Sequence, residues 1–95
     1  MAAYVVIQAE VTDPDKFKQY QELAGPSLAA FGGKVLSGGS DLERMEGQWP
    51  RPTFVLLEFE SVDKAKAWYA SPEYQKAIAA RSGAAVFDMI AVAGR

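Results

Sequence analysis

The stretch from Ser61 to Arg81, SVDKAKAWYASPEYQKAIAAR, constrains the fold more than any other part of the chain. It reads as a helix, a brief break and a second helical segment. Ser71 is a good N-cap, and Pro72 falls at the first helical position, where its missing N–H costs nothing. The second segment therefore starts at a defined point and a defined angle. Trp68, Tyr69 and Tyr74 cluster round the break. Because Trp68 and Tyr69 are adjacent, one of them points off the apolar stripe, and that one is the stronger candidate for a pocket or an interface. Four apolar strand-like runs and one other helix remain to be placed around this element.

Tyr4 to Val11 alternates with a period of two, with Val5, Ile7, Ala9 and Val11 on one face and Tyr4, Val6, Gln8 and Glu10 on the other; this is a strand. Asp13-Pro14 then supplies a cap and an N1 proline. Phe17, Tyr20, Ala24, Leu28 and Phe31 follow as a helical stripe. Gly25-Pro26 is expected to kink or divide that helix, and Gly32-Gly33 to end it. Lys34 to Ser37 is a short strand running into a Gly38–Asp41 turn. Leu42 to Gly47 either extends the strand or forms a small arm, and Gln48 to Pro52 is a loop. Thr53 to Glu60 alternates again, with Thr53, Val55, Leu57 and Phe59 opposed to Phe54, Leu56, Glu58 and Glu60. Ser61 caps the long helical element. Ala84 to Ala93 is a last strand, apolar on both faces except for Asp88.

Strand, helix, strand, strand, helix, strand is the split βαβ order of a ferredoxin-like α+β sandwich. Right-handed crossovers put the first and third strands at the centre of a four-stranded antiparallel sheet, with both helical elements on one face. The fully apolar faces of the central strands must meet the helices. Tyr4, Val6, Phe54 and Leu56 then face away from them, an apolar patch larger than a monomer usually leaves uncovered. This predicts a homodimer through the open sheet face, either ligand-free or enclosing a cleft between the two sheets.

A chain of 95 residues makes one domain, 1–95. At that size only about 60–65% of the unfolded surface is buried, so a partner that covers one face helps. The net charge of −2 and pI near 5.0 argue against nucleic acid or an anionic membrane as partner. No apolar run approaches the roughly 20 residues of a membrane span. The N-terminus reads as a strand with no basic leader, and a cytoplasmic location is expected. The absence of Cys removes disulfides, thiolate nucleophiles and iron–sulfur clusters, and the absence of His removes a Ser-His-Asp triad, an imidazole base and the usual haem ligand. No cofactor is called for by the residues.

Chemistry is left to carboxylates, Arg, Lys, Tyr and Trp, or to a bound cofactor. Desolvation on the open face would raise the pKa of Glu10 or Glu58, although both are expected near strand ends, in water or paired with Arg44 or Arg81. An antiparallel layout puts Glu10 near Phe54 and Glu58 near Val6, so the two are not an adjacent acid pair. Arg44, Glu46 and Trp49 lie in the connection before the third strand, where Arg would fix an anion and Trp would wall a pocket. A polar rim over a dimer contact is the plainer account of the same residues. Trp68, Tyr69, Tyr74 and Arg81 form an aromatic cluster that is core by default. The glycine pairs are turns, since the first follows a helix and a phosphate loop follows a strand.

The candidate ligand-binding set is Gln8, Arg44, Glu46, Trp49, Trp68 and Tyr69, around a small, partly apolar or anionic molecule. With Glu46 or an open-face carboxylate as the acid–base group, the reaction to expect is a proton transfer or a cofactor-free oxygenation. The alternative is a dimeric structural or regulatory module with no small ligand.

Tyr4-Val5-Val6, Asp13-Pro14, Pro26 with Gly32-Gly33-Lys34, Glu46-Gly47-x-Trp49 and Ala67-Trp68-Tyr69-x-Ser71-Pro72-Glu73-Tyr74-Gln75 with Arg81 resemble, in order and over nearly the whole chain, the bacterial domain of unknown function 1330 family. That family looks like part of the dimeric α+β barrel superfamily, in which two ferredoxin-like protomers pack sheet to sheet. The superfamily also holds small monooxygenases, isomerases, chlorite dismutases and dye peroxidases, so the resemblance implies a scaffold and not a reaction. It carries over no catalytic residue.

Overall fold

Strands form where apolar residues alternate, and helices where a cap precedes a stripe. The computed structural model describes residues 2–95. In order these are β1 (Ala3–Val11), α1 (Pro14–Ala30), β2 (Lys34–Gly39), β3 (Thr53–Phe59), α2 (Val62–Ala70), α3 (Pro72–Ala80) and β4 (Ala85–Ala93). The three expected caps are all made. Asp13 accepts from the Lys16 N–H at 3.2 Å, Ser61 from Lys64 at 3.1 Å and Ser71 from Tyr74 at 3.2 Å. The long helical element is divided at Ser71-Pro72, so three helices cover the sheet.

The sheet order is β2-β3-β1-β4, with every pair antiparallel. Val5, Ile7, Ala9, Leu57 and Phe59 are buried beneath the helices, together with Trp68, Tyr74 and Ala77. Tyr4, Val6, Phe54 and Leu56 lie on the opposite face, partly covered, and β4 adds Ile90, 63% exposed. Val6 is flanked by Leu56 on β3 and Ile90 on β4, so these side chains form one continuous patch.

Several local expectations are corrected. α1 is not divided at Gly25-Pro26. There the Ser27 hydroxyl donates to the Ala24 carbonyl at 2.7 Å, which supplies a side-chain donor in the turn where proline removes a backbone one. β2 runs on to Gly39, with an irregularity between Val35 and Ser37, and Leu42–Gly47 does not extend it. The strand register places Gln8 opposite Phe54 and Tyr4 opposite Glu58. Gly33, at the entry to β2, is required by close approach. A Cβ there would lie 2.4 Å from Leu28 Cδ1 and 2.9 Å from Phe59 Cε1.

Candidate functional site

Two clefts carry the polar and aromatic residues, one on each face of the sheet. The first, about 800 Å³, lies between α2 and the outer strand β4. Trp68 is buried at its base. Its ring centroid is 4.0 Å from that of Tyr74 and 5.4 Å from that of Phe59, and its indole N–H donates to Ser27 Oγ at 3.1 Å. Tyr69, one residue on, points off the stripe and is exposed, as the adjacency requires. Along β4 the helix-facing residues lose cover in order. Phe87 and Met89 are partly buried and Ala91 is exposed, so the cleft opens toward the end of the strand. Ala65 and Ala91 leave the space that larger side chains would fill.

Arg81, just past α3, closes the inner end. Its guanidinium carbon lies 4.0 Å over the Phe87 ring and 5.5 Å from the Tyr20 ring centre, within the range of cation–π attraction. The Tyr20 and Tyr74 hydroxyls bond each other at 2.8 Å behind it. Burial pushes the Tyr20 phenol well above its usual range and raises that of Tyr74, while the Arg81 charge pulls both the other way, as the Tyr20 hydrogen bond does for Tyr74. Both are therefore neutral hydrogen-bonding groups and not bases. The Arg81 Nε is buried with no hydrogen-bond partner. The turn beyond it is tied down by Lys16, whose ammonium donates to the Ser82 carbonyl, and by the Thr12 N–H to the Ala84 carbonyl.

The second cleft, about 870 Å³, lies at the open face beneath the β2–β3 connection. Arg44, Glu46 and Trp49 line it with Phe54, on which Trp49 packs at a centroid distance of 6.1 Å. The connection is anchored by Arg51, which lies 3.6 Å from Glu10 and 3.0 Å from Asp88, and by the Ser40–Thr53 hydroxyl pair at 3.2 Å. Glu10 thus meets Arg51, not Arg44 or Arg81. Gln8, opposite both Phe54 and Asp88, has its Oε1 buried without a partner.

The six residues read from the sequence therefore divide. Arg44, Glu46 and Trp49 come together on the open side, Trp68 and Tyr69 on the helix side, and Gln8 lines neither cleft. The sheet stands between the two groups. Phe87 and Met89 on the helix side and Arg51 on the open side complete the clefts. Their signal in the sequence is weak, because a strand apolar on both faces does not show which face meets the helices.

Residues 2–95 match the family model described as domain of unknown function DUF1330. The chain belongs to this family. No curated protein matches it in sequence. Among solved structures, RPA0582, a protein of unknown function from Rhodopseudomonas palustris, superposes with a TM-score of 0.75 at 20% identity, covering 99% of this chain and 82% of that one. SnoaB, a cofactor-independent oxygenase from Streptomyces nogalater, gives 0.67 at 14%, covering 99% and 93%. A dimeric ferredoxin-like protein of unknown function from Thermobifida fusca gives 0.65 at 18%, covering 99% and 92%. At these identities the likeness shows the fold: this DUF1330 chain is a ferredoxin-like α+β protein.

Proposed function

We propose that this DUF1330 protein is a homodimer, joined through the open sheet face, that binds a small, partly apolar, anionic molecule in the α2–β4 cleft. The observation that carries the ligand reading is the cleft itself, with its aromatic base, alanine-lined space and a cation at the inner end. Pockets of this size and lining hold small ligands. The dimer is supported by the Tyr4, Val6, Leu56 and Ile90 patch and by neighbours described as dimeric. An interface of standard size would bury about 800 Å² on each protomer. Arg44, Glu46, Trp49 and Gln8 then border the interface, as a rim or as a second, weaker binding place.

If the bound molecule reacts, the residues suit proton transfer or oxygenation by O₂ with the substrate itself as reductant, since neither His nor Cys is available. The oxygenase among the structural neighbours supports that class and no particular substrate. The test is a fragment soak of crystals together with sedimentation in solution. Density in the α2–β4 cleft and a dimer mass are expected. A dimer with both clefts empty across a diverse library would favour the non-enzymatic structural or regulatory module, and a micromolar monomer would overturn the assembly.

A further inference from the structure

Arg81 is a cation in an apolar setting with no anion beside it. Among the described residues it takes part in no ion pair, whereas Arg51 has two. Its Nε is buried and unpartnered. Partly burying such a cation without a countercharge is costly, so the place favours an anion. The Tyr20 and Tyr74 hydroxyls accept from the guanidinium, but burial keeps both phenols protonated, so they supply no countercharge. Asp88 is the one acidic residue bordering the cleft, and its carboxylate is taken by Arg51 on the opposite face. Lys66 adds a second cation at the rim, so a chain of net charge −2 places unpaired positive charge here.

The guanidinium carbon lies 4.0 Å over the Phe87 ring, and its five N–H donors outnumber the two phenol oxygens beside it, which leaves donors for a charge-assisted contact with an anion. The walls are flat or soft: Trp68, Tyr69, Phe87 and Met89. We propose that Arg81 anchors the acid group of a flat aromatic carboxylate whose ring lies against Tyr69 and Met89, over the buried Trp68. This rests on the α2–β4 cleft being the ligand site. Tyr20 and Tyr74 act as positioning residues, holding the guanidinium from behind.

The experiment is an NMR titration of the intact protein with 2-naphthoate and with its neutral isostere 2-naphthamide at constant ionic strength, following the Trp68 indole N–H. The naphthoate is expected to bind at least about tenfold more tightly, the scale of one charge-assisted contact. Arg81→Gln should bring the two ligands within about twofold of each other. Ala91→Phe, which fills the space, should weaken both. If Arg81→Gln does not fold, Arg81→Lys serves: it keeps the charge but not the fork and should lose several-fold of the preference. Equal binding of acid and amide to the wild type overturns the anchor and leaves the cleft reading standing. So does a preference that survives the Arg81 variants, whereas binding indifferent to Ala91→Phe lies outside the cleft and overturns both readings. Failure of both ligands to bind overturns the cleft reading together with the anchor.

Discussion

On the open face of the sheet Arg51 sits between two carboxylates, whereas on the helix face Arg81 sits against a pair of aromatic rings. Arg51 and its partners are substantially solvated, with side-chain exposures of 27% for Arg51, 49% for Glu10 and 61% for Asp88. Such pairs contribute little to stability and serve here to pin a loop. Arg81 has no carboxylate partner, and its cost is offset by ring contacts and by the neutral Tyr20 and Tyr74 hydroxyls. The two tryptophans differ in the same sense. Trp68 is 2% exposed and hydrogen-bonded, while Trp49 is 43% exposed and rests on one ring. The helix face is a finished core with an open seam. The open face is an apolar surface with a polar border, the anatomy expected of the proposed dimer interface.

The largest effect that tests this contrast is Trp68→Ala. It should cost about 3–5 kcal/mol in denaturant unfolding, against about 1 kcal/mol or less for Trp49→Ala. Comparable losses would erase the distinction between the two faces. Leu56→Asp comes next. It should leave the helical circular dichroism unchanged while weakening the dimer by about tenfold or more in sedimentation, because it buries an unpaired charge in the patch. An unaltered dimer would move the interface elsewhere.

Alkaline titration probes the helix face alone. The folded state holds the Tyr20 and Tyr74 protons above the pH, near 10, at which an unfolded chain releases them. Their contribution is therefore complete below pH 10 and is lost as pH rises through the folded values, by up to about 1.4 kcal/mol per pH unit for each phenol. Unfolding midpoints between pH 9 and 11 should show a shallower fall in a Tyr20→Phe, Tyr74→Phe double variant. A parallel fall would mean that the phenols are not held neutral.

Ser71→Ala should cost about 1 kcal/mol, since one hydroxyl both accepts from the Tyr74 N–H and donates to the Trp68 carbonyl at 2.7 Å. The smallest change is Arg51→Ala, about 0.5 kcal/mol or less and vanishing in salt. A larger loss would show that the loop is structurally coupled to the sheet.

Element order, caps and faces were legible because they depend on near neighbours. Alternation along β1 and β3 specifies which side is apolar, and Asp13, Ser61 and Ser71 satisfy N–H groups three residues away. Only tertiary structure decided the site. Tyr20 meets Tyr74 across 54 positions, Trp68 meets Ser27 across 41, and Arg51 reaches Asp88 across 37. A strand apolar on both faces, as β4 is, carries no periodic signal to say that Phe87 lies under Arg81 while Asp88 turns to Arg51. Gly25-Pro26 reads locally as a break, yet α1 passes through it, because local propensity is a weak prior and surrounding contacts override it. The clefts are likewise properties of packing. They are spaces left where α2 and β4 diverge and where the β2–β3 connection leans over the sheet, and no spacing along the chain encodes an empty volume.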